Sequence, residues 1–198
     1  MAGELSTEIV QTLRDLIAAA TAAGETEPHA MNLATMQADG RVSSRIVLLK
    51  ALDTRGLAFY TNLHSDKGRQ LQAHPRAALC FHWKRLGEGV QVRVEGEVVA
   101  VDEVEADNYF ATRPRESQLG AWASLQSQTL PDRATFEQRF AQAEQRYAEG
   151  PVPRPPHWSG LRVRPDLVEF WYGAEFRLHE RHRHEWRDGG WQQRLLYP

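Results

Sequence analysis

Hydroxyl, amide and guanidinium side chains crowd around a single proline between Tyr109 and Ser127, in the stretch YFATRPRESQLGAWASLQS. Pro114 lacks a backbone donor and biases Arg113 away from helical angles. A helix entering from about Asp102 should therefore end near Arg113, and a second should start at Pro114, a favourable first helical position. Arg113 then lies in the break and Ser117 in the first turn of the second helix. Free N–H groups and the positive end of the helix dipole suit a phosphate there. Tyr109, one turn before the break, adds a hydroxyl to the same anion. The plainer alternative is an ordinary helix pair with solvated arginines.

Other groups repeat this cationic character. Arg45 and Lys50 bracket the apolar run Ile46-Val47-Leu48-Leu49, which reads as a strand buried on both faces. Cations flanking such a run need anions or a route to solvent. Lys67 follows Ser65, a good N-cap, so a short helix start again offers an anion site. Near the C-terminus, Arg177, His179, Arg181 and Arg183 share one face of a strand by period-two alternation, beside Trp171, with His182 and His184 on the other face. No metal is expected: the histidines divide between faces, and the nearby arginines would repel a cation. A solvated edge strand is the competing reading.

The elements that must carry these groups are legible in outline. Residues 5 to 23 read as an amphipathic helix with Leu5, Ile9, Leu13, Leu16 and Ile17 near one face, ended by Gly24. AMNLATMQ, the turn ADGR and VSSRIVLLKAL form a hairpin signal. LAFYTN, RAALCFHWK and GVQVRVEGEVVAV are further strands, the last placing Gln91, Arg93 and Glu95 opposite Val92 and Val94. PDRATFEQRFAQAEQRYAEG reads as a helix whose Phe136, Phe140, Ala143 and Tyr147 form a core stripe. GPVPRPPHW reads as an extended surface connector. Turns at 172–175 and 188–190 leave three antiparallel strands at the end of the chain. About eight strands without regular βαβ alternation give a mainly β, α+β class: an antiparallel barrel with helices packed outside.

Composition sets bounds. A chain of 198 residues with 41% hydrophobic and 25% charged residues fits one domain with a full core. A net charge of −2 gives no reason to expect nucleic acid or an acidic membrane as partner. Cys80, the one cysteine, reads as a buried small hydrophobe. No apolar run is long enough to span a bilayer and no signal peptide is visible, so the expected location is the cytoplasm.

RPRESQLGAWAS followed by QS, with RIVLLK, YTN and RLHER in the same order, resembles the pyridoxamine 5'-phosphate oxidase family over about residues 30 to 198. The resemblance implies an FMN-binding split β-barrel of Greek-key, antiparallel type, one domain over 1–198, working as a homodimer with FMN at the subunit interface. It implies FMN contacts from Arg45, Ile46, Val47, Leu48, Lys50, Tyr60, Thr61, Lys67, Gln91, Gln126, Ser127, Trp171 and Arg181. It implies phosphate binding by Lys50, Tyr109, Arg113 and Ser117, and ring contacts from Arg177 and His179, the candidate catalytic pair. The reaction implied is oxidation of pyridoxamine or pyridoxine 5'-phosphate by O2 to pyridoxal 5'-phosphate, with H2O2 and, from the amine, ammonia. Two rivals remain: a split-barrel flavoenzyme for another ring, and a non-catalytic FMN or pyridoxal-phosphate binding module. One departure stands out. Many members have arginine where this chain has Asp66, so either Lys67 and Arg45 suffice, or Arg69 compensates, or Asp66 caps the helix.

Overall fold

A computed structural model describes residues 3–198. Helix α1 (Thr7–Ala22) begins at Ser6, whose side chain accepts the Ile9 N–H. Its Ile9, Leu13 and Ile17 are buried with Met31, Leu33, Phe81 and Val92 of the sheet. Each such side chain contributes about 1.5–3 kcal/mol of hydrophobic stabilisation. The first hairpin is present, with β1 (Ala30–Met36) antiparallel to β2 (Val42–Leu48) and Ala30 opposite Leu48. A short β3 (Ala51–Asp53) then pairs with β4 (Gly56–Asn62). Helix α2 (Asp66–Ala73) leads to β5 (Arg76–Trp83), which pairs with β6 (Val90–Ala100). Helices α3 (Glu103–Ala111), α4 (Arg115–Ala123) and α5 (Arg133–Arg146) follow. The chain ends in β7 (Trp158–Tyr172), β8 (Glu180–Arg187) and β9 (Gly190–Leu196).

Among the described residues the strands form one antiparallel sheet in the order β2-β1-β5-β6-β7-β4-β3, with β8 and β9 extending from β7. The Lys50 N–H donates to the Ala58 carbonyl at 2.8 Å, tying the end of β2 to β4. The sheet therefore curls until its two ends meet, as a split barrel. Pro165 does not interrupt β7, because it faces Gly96 at a register shift in β6. A Cβ on Gly96 would lie 2.1 Å from the Arg164 carbonyl, so that position requires glycine.

Several expectations need correction. The IVLL run is not buried on both faces: β2 ends the sheet path, and Ile46 is 63% exposed. Cys80 is half-buried rather than buried, because it points to the Arg93 face of the sheet and away from Leu79 and Phe81. The proline-rich connector is not wholly on the surface. Val152 and Trp158 pack with Phe110, Leu119 and Ala143 in a second core. In the α5 stripe only Ala143 is fully buried, and Phe140 and Tyr147 are partly so.

Candidate active site

A cavity of about 810 Å³ opens between β2, β4, α2 and the α3–α4 corner. It gathers most of the expected site residues: Arg45, Ile46, Val47, Leu48, Lys50, Tyr60, Thr61, Lys67, Tyr109, Arg113, Ser117 and Gln126 all line it. The corner forms as Pro114 requires. Helix α3 stops at Ala111, Arg113 lies in the break, and Pro114 sits at the N-cap of α4, one residue earlier than expected. The break is held from inside by Gln118, which is buried and donates to the Phe110 carbonyl at 2.9 Å.

The electrostatics of the cavity are one-sided. Among the described residues no carboxylate lies within ion-pairing distance of Arg45, Lys50, Lys67 or Arg113. Arg45 instead donates to Thr35 Oγ1 at 2.5 Å, Ser43 Oγ at 2.8 Å and Gln70 Oε1 at 3.2 Å. Lys67 Nζ donates to Gln126 Oε1 at 2.8 Å and Ser65 Oγ at 3.2 Å. Burial holds the pKa of Arg45 below its usual value. Burial, and then the Arg45 charge, does the same to Lys67. Arg113 is lowered by burial too, and its Nη1 is buried without a hydrogen-bond partner. A buried donor left in this state costs roughly 1–3 kcal/mol, and an anion in the cavity would relieve it.

Aromatic rings form the wall behind Arg113. Tyr60 stacks on Tyr109 at 3.9 Å between ring centroids and on Trp158 at 5.3 Å. Burial, then the charge of Glu105, pushes the Tyr60 phenol up to about 12, so it stays a neutral donor. Trp158, Asn62, Thr112 and Ser124 line the cavity without having been singled out from the sequence. The signal for Trp158 was its place at a strand start two residues after the prolines.

Asp66 lies outside the cavity and pairs with Arg69 at 2.5 Å. Arg69 also donates to the His64 carbonyl, so it is turned away from the cavity. The cap of α2 is Ser65, not Asp66. The Asp66 N–H donates to Ser127 Oγ at 3.2 Å, with Ser127 in a left-handed conformation at φ 70°. Ser127 therefore braces α2 beside the cavity and does not line it.

The remaining expected residues form a separate group. Gln91 is opposite Trp171 across β6 and β7, Trp171 is opposite Arg181 across β7 and β8, and the His179 ring lies 4.5 Å from the Trp171 ring. Arg177 and His179 do not share a strand face with Arg181 and Arg183. Phe176 and Arg177 both take left-handed angles in a 3-10 turn, and β8 begins only at Glu180. Arg181 and Arg183 are committed to Glu169, a carboxylate 1% exposed, which accepts from Arg181 at 2.8 and 2.9 Å and from Arg183 at 2.7 and 2.9 Å. Burial alone would raise the Glu169 pKa, but the bonds from Arg183 and Arg181 outweigh it and hold it below the usual carboxylate range. Glu169 escaped the sequence reading, although one acid inside the apolar run LVEFW was a visible signal. Trp158 lines the cavity and Trp171 belongs to the second group, so the two sets sit near opposite ends of β7. Their thirteen-residue separation spans roughly 40 Å of extended strand.

Comparison with known proteins adds to this geometry. The family model for pyridoxamine 5'-phosphate oxidase matches residues 17–147, and that for the pyridoxine 5'-phosphate oxidase C-terminal dimerisation region matches residues 158–198. A pyridoxine/pyridoxamine 5'-phosphate oxidase from Myxococcus xanthus is 56% identical over 96% of this chain and 91% of its own. One from Xanthomonas oryzae pv. oryzae is 54% identical over 98% and 99%. Among solved structures, PhzG from Burkholderia lata, in complex with tetrahydrophenazine-1-carboxylic acid, superposes with a TM-score of 0.90 at 33% identity, covering 96% of this chain and 92% of its own. An FMN-binding protein from Nostoc punctiforme shares the fold, with a TM-score of 0.73 at 19% identity over 93% and 97%.

Proposed function

The chain belongs to the pyridoxamine 5'-phosphate oxidase family, and from that premise we propose that it oxidises pyridoxamine or pyridoxine 5'-phosphate to pyridoxal 5'-phosphate. FMN is the cofactor and O2 the acceptor, with H2O2 released, and ammonia from the amine. The observation that carries the substrate assignment is the buried, unpartnered Nη1 of Arg113. A phosphate is the ligand that such a donor fits, since a guanidinium binds phosphate oxygens with charge-assisted hydrogen bonds. Lys50, Tyr109 and Ser117 line the same cavity and complete the phosphate set. A phenazine-type ring without a phosphate would leave that donor orphaned.

The residues present also fit FMN. Among the described residues Arg45 and Lys67 are cations without carboxylate partners, beside the hydroxyl of Thr61 and the amide of Gln126. They would hold the cofactor phosphate, with Lys50 placed in both the cofactor and the substrate sets. The outer edge of β2, at Ile46, Val47 and Leu48, would lie along the ring system. FMN supplies the two-electron acceptor chemistry when bound. The protein's part is to bind the non-reacting phosphate handle of the substrate and so fix the position of the carbon to be oxidised.

Arg177, His179, Trp171, Gln91 and Arg181 reach this chemistry from a second copy. The separation along β7 keeps them from the cavity of their own chain, and the C-terminal dimerisation region matched over 158–198 supports an interface there. In this homodimer Gln91, Trp171 and Arg181 complete the flavin set, while Arg177 and His179 hold the pyridine ring. The two matched regions share one sheet, which supports reading the chain as a single domain. Among the described residues no helix is long and apolar enough to cross a membrane, and we place the enzyme in the cytoplasm.

The purified protein's spectrum tests this reading. A bound flavin should bleach anaerobically with pyridoxamine 5'-phosphate and recover in air. A flavin-free protein, or a flavin indifferent to that substrate, would sink it.

A further inference from the structure

Taking Arg113 as the phosphate ligand proposed above, we propose that Trp158 is its positioning residue, the side chain that keeps a charged guanidinium aimed into the cavity without neutralising it. Arg113 lies with its guanidinium carbon 4.7 Å from the centroid of the Trp158 ring and 5.5 Å from that of Phe110. Among the described residues it has no carboxylate partner, although burial disfavours its charge. An acidic partner would stabilise the cation but would also repel an incoming phosphate and compete for its donors. An aromatic face attracts the cation through its quadrupole, leaves the N–H groups around the guanidinium rim free, and brings no negative charge.

The indole is itself fixed. Its backbone N–H donates to the Pro155 carbonyl at 3.0 Å, and its carbonyl accepts from Arg154 Nη1 at 2.8 Å. It is 7% exposed, with Phe110 edge-on at 5.0 Å and Tyr60 stacked at 12°. Tyr60 in turn stacks on Tyr109, a proposed phosphate ligand. One ring at the distant start of β7 therefore connects two members of the phosphate set, Tyr109 in the last turn of α3 and Arg113 in the break before Pro114. Among the described residues Arg113 is the one cation with a buried donor that lacks a partner, and it is the cation to which Trp158 presents its face.

The experiment compares FMN-loaded parent, Trp158→Leu, Trp158→Phe, Arg113→Ala and the double variant Arg113→Ala/Trp158→Leu. We expect Trp158→Leu to raise KM for pyridoxine 5'-phosphate roughly threefold to thirtyfold, with a smaller change in kcat. Trp158→Phe, which keeps an aromatic face, should recover most of the loss. The double variant should be little worse than Arg113→Ala alone, because the indole acts through the arginine. Losses that multiply, or that fall equally on unphosphorylated pyridoxine, would overturn the positioning role. A phosphate-selective loss in Arg113→Ala beside a neutral Trp158→Leu would overturn it alone. No selective loss in Arg113→Ala would take the phosphate assignment down as well. Should Trp158→Leu not fold, tryptophan emission decides: titration of the FMN-loaded parent with inorganic phosphate should change a signal that Trp158→Phe lacks. A change that persists in Trp158→Phe would count against the proposal.

Discussion

Arg113 carries the sharpest consequence at the scale of single residues. In the proposed role it would supply a charge-assisted contact of about 1.5–3 kcal/mol to a part of the substrate that does not react. We expect Arg113→Ala to lower kcat/KM for pyridoxine 5'-phosphate roughly tenfold to a hundredfold, mainly through KM, with the FMN content of the purified protein unaltered. Unphosphorylated pyridoxine should be a poor substrate and should barely register the change. Equal losses on both would mean that Arg113 shapes the fold instead. Asp66 is the opposite case, a negative charge near Arg45 and Lys67, the cations proposed to hold the cofactor phosphate. Asp66→Arg removes that repulsion and frees Arg69, so FMN should bind a few-fold more tightly at low salt, with the gain shrinking as salt is added. Weaker binding in a flavin-fluorescence titration would assign Asp66 a structural role. Glu169 belongs to stability. Its folded-state pKa lies below the 4.5 of a free glutamate. Its stabilising contribution is therefore complete above pH 4.5 and is lost as pH falls through the lower, folded value. Glu169→Gln should cost about 3–5 kcal/mol, because it strands two arginines around a buried site. It should also flatten the acid limb of a plot of denaturation midpoint against pH. An acid limb identical to that of the parent would remove Glu169 from the account.

Among the elements, the α3–α4 corner was the most legible in the sequence, because proline acts through covalent geometry that no tertiary contact overrides. The first hairpin was equally plain, since ADGR places Gly40 at φ 85°, where a turn needs it. Less legible was the lock on the corner. Gln118 looks like an ordinary helix residue, yet it is buried and satisfies the Phe110 carbonyl at the end of α3. We expect Gln118→Leu to destabilise the protein by about 1–3 kcal/mol and to raise KM for the phosphorylated substrate. A variant of unchanged melting temperature would show that the corner holds without it. The C-terminal strand was read one turn too early. Alternation assumes extended backbone, and nothing in GAEFRLHER announces that Phe176 and Arg177, neither of them glycine, take left-handed angles in succession. Burial of the IVLL run was overread for a related reason: an apolar pattern specifies that a face will be covered, not by which chain.

At the scale of the whole molecule, the expected site residues other than Ser127 and Arg177 fall into one of two surfaces, the cavity and the patch around Trp171, and Arg177 lies in the turn two residues before His179. The sequence contained both sets but not the distance between them, which depends on β7 running unbroken past Pro165. The exposed apolar side chains Ile46, Phe176, Leu178 and Leu195 belong to these surfaces or to the C-terminal strands beside them. We expect the enzyme to sediment as a dimer and to lose flavin and activity together on dilution below the dissociation constant of the dimer. A fully active monomer at sub-nanomolar concentration would refute the shared site.

Strand β7 bears on genetics as well as on geometry. In the proposed dimer each copy lends the groups beside the two ends of β7 to two different catalytic centres, so a lesion beside one end and a lesion beside the other need not damage the same centre. Chains carrying Arg113→Ala and chains carrying Arg177→Ala would each assemble into impaired homodimers. When the two are unfolded together and allowed to reassociate at random, half of the dimers pair one chain of each kind. In those dimers both lesions converge on one centre and leave the other intact, so the mixture should recover about a quarter of the parental activity. Two defective alleles could in this way complement one another within a cell, an outcome closed to any enzyme whose site is built from a single chain.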